Sequence, residues 1–448
     1  MLAQYSIGGS VMTDADDSFQ MALNHAYGKR ERPLCLCRSE PIPMYIARID
    51  GRFYIKRMPN SGDTHDPMCV SYEMPPELSG LGPLQGSAIT EDAENGGTNL
   101  KVAFSLARRP GRGAITESGM VADTVKSDAH KLSIRSTLHY LLHQAGFNRW
   151  SPRMEGKRSW NVFRRHILAA AENKRLKGQP LGDLLYIPEP WTKDQDRDIK
   201  ARRQQHTAKI VPTTGGTHSL MVYVGECKSI EQTALGYKMV VKNAPDFPLV
   251  FSRDVRERIG KRFGMEFGLK ESLDSSHLLF IATFSLGLAR DAQLDEVSFV
   301  ICTKEWLPVE TVDEVDLLHA LVAQRRHFIK GLRYNTAADA PMASAVLLDS
   351  THKETALYVV PAAASDAYRA GIEELQEGSS LPSWTWNIGA EAKVPALPPV
   401  AALGQRASPS APLHMESSFT KPLSRRVPRR ISTSPATLSG IDPVEPGS

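Results

Sequence analysis

The chain has 448 residues, of which 41% are apolar, 23% charged and 7% aromatic, with a formal net charge of +4. That composition excludes a disordered or fibrous chain, and the length predicts two to four folded units. The most apolar run, Leu278–Ala289, is broken by Thr283, Ser285 and Gly287, and falls short of the roughly 20 apolar residues that a membrane-crossing helix needs.

The charge is unevenly placed. From Ala392 onward there are seven cations (Lys393, Arg406, Lys421, Arg425, Arg426, Arg429, Arg430) against three anions (Glu416, Asp442, Glu445), so residues 1–391 are neutral overall. A body coated in nucleic acid would carry more excess, so a polyanion contact must come from a local patch or from the tail. The first residues hold Asp14, Asp16 and Asp17 and no apolar run, which does not read as a signal peptide. Residues 1–30 read as a flexible lead-in with one helix over Ser18–His25.

Residues 31–85 carry the strongest chemical signal. Cys35-Leu-Cys37 precedes two short strands, Met44–Ile49 and Arg52–Met58, that meet at Asp50-Gly51; His65-Asp-Pro-Met-Cys69 follows. Asp-Gly favours a tight hairpin because both residues tolerate positive φ. Folding the hairpin back brings Cys35, Cys37, His65 and Cys69 together, and three thiolates with one imidazole suit a tetrahedral zinc ion. Four protein ligands leave no open position, so the zinc is expected to be structural rather than catalytic. An odd total of five cysteines without a secretory signal points to a reducing, cytoplasmic setting and to metal ligation in place of disulfides. Cys227 and Cys302 lie in strand-like apolar runs and read as small buried hydrophobes.

Residues 86–212 read as mostly helical. A strand pair (Leu100–Ala107 and Ala114–Thr116) flanks the basic turn Arg108–Arg112. Helices are predicted over Ser127–Ala145, stopped by Gly146, and over Trp160–Arg175, with a short strand at Leu181–Ile187. Two helices and a strand suggest a winged-helix-like unit, with Arg153, Lys157, Arg158, Arg164 and Arg165 as either a DNA-contacting face or a solvated one. His139 and His143 sit four apart without the glutamate of His-Glu-x-x-His, and read as polar-face residues. Lys193–Lys209 reads as a linker or exposed helix.

Residues 213–390 read as a mixed α/β domain. Strands are predicted at Leu220–Gly225, Tyr237–Lys242, Leu249–Ser252, Leu278–Phe284 and Glu296–Thr303, with a helix over Asp254–Phe267. A helix over Thr311–Leu332 opens on the capping box Thr311-Val-Asp-Glu314. Ala345–Asp349 and Ala356–Pro361 form a last strand pair before a helix at Ser365–Glu377 and Trp384-Thr-Trp386. Glu226-Cys-Lys228 is half of a metal-dependent nuclease motif. Arg325, Arg326, Lys330 and Arg333 interleave with Phe328 and Tyr334, a pattern that pairs phosphates and stacks bases, or equally one that ends a helix with cations. Walker A, Gly-x-Ser-x-Gly and EF-hand patterns are missing from the sequence. Residues 391–448 are rich in Pro, Ser and Ala and read as a disordered basic tail.

Several of these segments together resemble a bacterial domain-of-unknown-function family, numbered 1173. They include Arg32-Pro-Leu-Cys-Leu-Cys37, Met44-Tyr-Ile-Ala-Arg48, Tyr54-Ile-Lys-Arg-Met-Pro59, Pro67-Met-Cys69 and Glu77-Leu-Ser-Gly-Leu-Gly82. Further on, Leu138-His-Tyr-Leu-Leu142, Ala145-Gly-Phe-Asn-Arg-Trp150, Ser276–Phe284, Trp306-Leu-Pro308 and Arg326-His-Phe-Ile-Lys330 extend the resemblance to Trp386. It implies a cytoplasmic protein carried by plasmids and integrative elements, in a DNA-related setting, and no particular reaction. A looser analogy is to competence-type proteins that join a Cys/His module to a restriction-like nuclease fold, but Ala345–Asp349 lacks an opening Pro-Asp and Leu357-Tyr-Val-Val360 offers no metal-binding Glu.

The fold class expected is therefore α+β and multidomain: a small zinc-binding β-hairpin module, a helical middle region, a mixed α/β C-terminal domain and a disordered tail. The expected function is that of a zinc-stabilised, non-catalytic accessory protein binding nucleic acid through Arg325, Arg326, Lys330, Arg333, Arg164 and Arg165, with no membrane partner. The alternatives are a nuclease using Glu226 and Lys228, and a protein-binding adaptor.

Overall fold

The computed structural model describes residues 3–49, 52–58, 61–92, 97–108, 130–211, 218–351 and 353–401. The N-terminal residues, expected to be a flexible lead-in, form β1 (Gln4–Ile7), β2 (Ser10–Thr13) and α1 (Phe19–Gly28). They join β3 (Leu34–Cys35), β4 (Ile42–Ile49) and β5 (Arg52–Arg57) in one sheet of order β2-β1-β3-β4-β5. Burial is the cause: Tyr5, Ile7, Phe19 and Leu23 pack with Met44 and Phe53, a set too short and scattered to show a period in sequence. The expected hairpin is present, β4 and β5 pairing antiparallel from Met44 with Arg57 to Ile49 with Arg52. Its Asp50-Gly51 turn lies outside the described residues.

Short strands β6 (Ile89–Glu91), β7 (Thr98–Leu100) and β8 (Ala107–Arg108) follow; Ala114–Thr116 lies outside the described residues. Helix α2 (Ile134–Gln144) is capped by Ser133, whose side chain accepts from the Ser136 N–H, and it stops ahead of Gly146 at φ +74°. After β9 (Arg149–Trp150), helix α3 (Trp160–Ala171) ends short of the expected Arg175. There the chain leaves as β10 (Lys174–Leu176), which pairs with β7 and with β11 (Gln179–Pro180) in a sheet of order β11-β10-β7-β6. Helix α4 (Leu181–Leu184), β12 (Leu185–Tyr186), α5 (Asp196–Thr207) and β13 (His218–Ser219) complete this stretch.

The C-terminal half contains β14 (Met221–Thr233), β15 (Gly236–Val241) and β16 (Ala244–Phe251). The single helix expected over 254–267 is two, α6 (Arg253–Arg262) and α7 (Gly264–Ser272), followed by β17 (His277–Leu286), β18 (Ala292–Cys302) and β19 (Pro308–Val309). These strands and β12 form a seven-stranded sheet in which β14 pairs with β15 along its second half and with β17 along its first, closing the strands into a ring. Helix α8 (Val312–Ala323) leads to β20 (Phe328–Lys330), β21 (Ala345–Leu347) and β22 (Thr355–Val360), then α9 (Asp366–Gly378) and β23 (Ser383–Asn387). A five-stranded sheet of order β23-β22-β21-β20-β9 takes β9 from the helical stretch, so strands cross the expected 212/213 boundary.

Both large sheets are buried on both faces. Tyr223, Phe280 and Ala282 belong to one core and their neighbours Val222, Val224, Leu279 and Ile281 to the next, where α2 and α3 pack. In the same way Phe328, Leu347 and Leu357 face the ring of strands, while Ile329, Val346 and Tyr358 face the N-terminal sheet. Strict alternation assigns each strand to two cores at once, which is why the sequence reads as continuous apolar runs. Among the described residues no helix is long and apolar enough to cross a membrane.

The predicted helix over 311–332 shows what local propensity misses. It ends at Ala323, Arg325 takes φ +56°, and Phe328-Ile329-Lys330 is a strand. Phe328 and Ile329 enter opposite cores, and that burial overrides helical continuation. The capping box is half made: Thr311 Oγ1 accepts from the Glu314 N–H at 3.2 Å, but Glu314 Oε2 accepts from Glu310 rather than Thr311, at 2.9 Å. Residues 391–401, assigned to the tail, dock on the body; Trp384 Nε1 donates to the Ala396 carbonyl at 3.0 Å and Arg326 to that of Pro398 at 2.7 Å. Tail residues 402–448 lie outside the described residues.

Arg326 is 1% exposed, and its Nε and Nη2 donate to one Asp349 oxygen at 3.0 and 2.9 Å while the His327 N–H donates to the other at 2.8 Å. Arg326→Ala strands a buried carboxylate and is expected to cost about 3–5 kcal/mol in urea unfolding. A loss within 1 kcal/mol of zero would show the pair to be dispensable.

Candidate metal centre and its cationic surroundings

β3 ends on Cys35, Cys37 follows two residues later, and the β4–β5 hairpin returns the chain to a 3-10 turn (Gly62–Thr64) that delivers His65. A turn closed by Cys69 N–H to Asp66 O, 2.8 Å, then sets Cys69. Cys35 Sγ lies 3.8 Å from Cys69 Sγ, and His65 Nδ1 lies 3.4 Å from Cys37 Sγ and 3.8 Å from Cys69 Sγ. All four donor atoms fall within 4.8 Å of one another. A tetrahedral zinc with Zn–S of ~2.3 Å and Zn–N of ~2.0 Å has edges of about 3.8 Å between sulfurs and about 3.5 Å from sulfur to nitrogen. The four donors therefore fit a tetrahedral ion through His65 Nδ1.

Two of the three sulfurs accept backbone hydrogen bonds. The Asp66 N–H points at Cys37 Sγ and the Ser71 N–H at Cys69 Sγ, each at 3.4 Å. Hydrogen bonding from Cys35 and Cys37 draws the Cys69 thiol down to about 3, while the same bonding and burial push Cys35 up. Arg38 donates to the His65 carbonyl at 2.9 Å and Arg149 to that of Cys69 at 3.2 Å, setting two guanidiniums beside a site that three thiolates and a divalent ion leave at net −1. His65 is fully buried and its Nε2 has no hydrogen-bond partner among the described residues, so Nδ1 is the atom placed for a ligand role.

The other candidates separate. Glu226 is buried, and its Oε1 accepts from Lys242 Nζ at 2.6 Å and pairs with His277 Nδ1 at 3.0 Å; Lys228 is exposed. A bulge between Cys227 and Ser229 breaks the alternation that would have put Glu226 and Lys228 on one face. Burial raises the Glu226 carboxyl, but its bonds to His277 and Lys242 outweigh that and hold it below the usual range. Cys227 and Cys302 are both buried.

In the 325–333 stretch every cation has an internal partner. Lys330 is buried against Glu314 at 2.8 Å, Arg326 against Asp349, and Arg333 meets Glu310 at 2.6 Å. Arg325 is exposed and reaches Glu155 at 3.1 Å, beside the 153–158 segment. Arg164 donates to the Ile187 carbonyl at 3.1 Å, and Arg165 is exposed. His139 and His143 do not converge: His139 Nδ1 accepts from the Tyr334 N–H at 3.0 Å, while His143 meets the Tyr334 hydroxyl at 2.9 Å and Glu73 at 3.5 Å.

Next to the metal module a cleft of about 550 Å³ opens between β5, β10 and the Arg149–Arg158 segment. Seven Lys and Arg side chains line it against two carboxylates, Glu73 and Glu91. Arg153, Lys157 and Arg158 belong to the cluster visible in sequence; Lys56, Arg57, Arg149 and Lys174 were missed. No local pattern marks them, because they come from three separate strands that only the fold brings together.

Fold and site together define a mixed α+β protein with a Cys3His cluster able to hold a metal ion. The chain belongs to the family described as "Protein of unknown function (DUF1173)", whose profile matches residues 5–389. No curated protein and no solved structure matches it significantly.

Purified protein is expected to hold one equivalent of zinc by elemental analysis and Cys37→Ser to hold far less. Stripping the metal should remove on the order of 10 kcal/mol from the module. An unchanged melting curve after complete chelation would reject the centre. His139 gives a second test. Burial, with help from Arg135, depresses its pKa to about 3, below the ordinary ~6.5. The unfolded chain therefore binds the proton that the native state refuses, and stability is present above about 6.5 and lost as pH falls from there toward about 3. Chemical unfolding at stepped pH should show that slope, and His139→Asn should flatten it.

Proposed function

We propose that this chain is a metal-stabilised, non-catalytic protein that binds nucleic acid, with zinc in the Cys35/Cys37/His65/Cys69 centre. The observation that carries the reading is a concentration of cations on a body that is neutral overall. Arg153 and Lys157 stand exposed at the mouth of the cleft with no ion-pair partner among the described residues. Arg325 is tied to the same segment through Glu155, and Arg165 is a further exposed cation on α3. Local excess of this kind attracts phosphate backbones even when net charge is small. Arg326, Lys330 and Arg333 serve this face indirectly, by holding β20 and its flanks in place. A cytoplasmic setting and carriage on a bacterial mobile element belong to the same reading, and the family resemblance is what supports them.

The test is binding of labelled duplex and single-stranded DNA across a salt series. Affinity is expected to fall steeply with salt, and an Arg153→Ala/Lys157→Ala double variant to lower the log–log slope by about 2. No binding at low salt would reject the reading and favour a protein-binding adaptor.

A further inference from the structure

The interior of the cleft carries more positive charge than the fold neutralises. Lys56 on β5 has no hydrogen bond or ion pair among the described residues, and Lys174 on β10 donates only to Thr98 Oγ1, at 3.1 Å. Deeper in, Arg158 is held by the carbonyls of Gly146, Phe147, Arg149 and Glu305, with the Phe147 ring 5.0 Å from its guanidinium. Arg149 donates to the carbonyls of Cys69 and Tyr72. Neither guanidinium touches a carboxylate. Of the two acids that line the cleft, Glu73 is bound to Arg57 at 2.6 Å, so Glu91, with Glu172 acting on Lys56 from outside the lining, faces the other cations.

Such an arrangement is costly without a counter-ion. Burial, reinforced by Lys56, pulls Lys174 down to about 8, and burial lowers Lys56 as well. An anion seated between them would reverse both effects. The volume of about 550 Å³ lies within the roughly 300–1,000 Å³ of small-molecule sites, far more than inorganic phosphate fills. The remaining lining supplies what an organic group needs: Val70, Met154, Val162 and Ile329, and the ring of Tyr45, whose hydroxyl has no partner among the described residues.

We propose that this cleft binds a phosphate ester of mononucleotide size, with Lys56 and Lys174 on the phosphate and Tyr45 beside the base. A free nucleotide and the 5′-phosphorylated end of a single strand share that chemistry. The inference leans on the nucleic-acid reading only for the second source; the first stands without it.

The experiment titrates full-length, metal-loaded protein with fluorescent adenosine monophosphate, then competes it with a 5′-phosphorylated oligothymidine and with the same oligomer lacking the phosphate. Binding should weaken with salt. Lys56→Gln and Lys174→Gln should each reduce affinity by about tenfold, the loss of one charge-assisted bond, while Lys238→Gln on β15 should not. Lys56 makes no hydrogen bond or ion pair among the described residues, so its variant is expected to melt like wild type. Competition by only the phosphorylated oligomer assigns the site to strand ends. Competition by neither oligomer assigns it to free nucleotides, and supports the cleft while counting against the polymer reading. Absence of adenosine monophosphate binding at low salt, or equal binding by wild type and both lysine variants, overturns the proposal.

Discussion

Three sulfurs and a ring nitrogen lie within 4.8 Å of one another, all but Cys37 buried, and among the described residues two backbone N–H groups are aimed at them. Buried polar atoms are ordinarily hydrogen-bonded, and these donors have chiefly one another. A shared cation resolves that geometry by converting mutual repulsion of thiolates into common attraction. The loop from Gly62 to Tyr72 contains no strand and one 3-10 turn, so side chains rather than a backbone ladder must fix its path. Its apolar residues do not form a separate core either: Cys35, Cys69 and Tyr72 pack in a cluster shared with Ile329, Val346 and Tyr358. The module is therefore held by its donors at one end and by the C-terminal sheet at the other.

That second attachment is tight. The Gly80 N–H donates to the Leu332 carbonyl at 3.0 Å, and a Cβ at Gly80 would overlap the carbonyl of Arg333. Only glycine permits the approach. On the far side of the contact, the chain from Arg326 to Arg333 is fixed by three ion pairs to Asp349, Glu314 and Glu310. Two of these are buried, where an unmatched partner is far more damaging than the pair is favourable. The cations that looked like a nucleic-acid surface in sequence are thus part of the frame on which the metal module rests.

The difference between what was legible and what was not follows from the range of the interactions. The Cys35–Cys69 set was readable because a hairpin is a local object: the Asp-Gly turn signal and β-branched or aromatic strands imply its return, and the return implies convergence. Helices α2 and α3 were readable from their period, and α2 from its stop at Gly146 as well, whereas α3 gives way to β10 ahead of the expected Arg175. Strand β20 was not, because Phe328-Ile329-Lys330 continues a helical pattern and becomes a strand only through pairing with Arg149–Trp150 and Ala345–Leu347. The partition of charges failed for the same reason. Asp349 and Glu314 lie 23 and 16 residues from their partners, and nothing near Arg326 or Lys330 announces them.

Adjacency in sequence joins the metal centre to the cleft. Val70, Ser71, Tyr72 and Glu73 directly follow the last ligand, Cys69, and all four line the cationic cavity. Arg149 spans the two, its guanidinium on the carbonyls of Cys69 and Tyr72 and its side chain in the cavity wall. Glu73, which neutralises Arg57 there, is itself anchored by its N–H to the Gly62 carbonyl at 3.0 Å, within the ligand loop. A metal held by His65 and Cys69 would fix one wall of the cleft as well, without reaching into it. The proposed metal centre and the proposed anion site therefore share one loop.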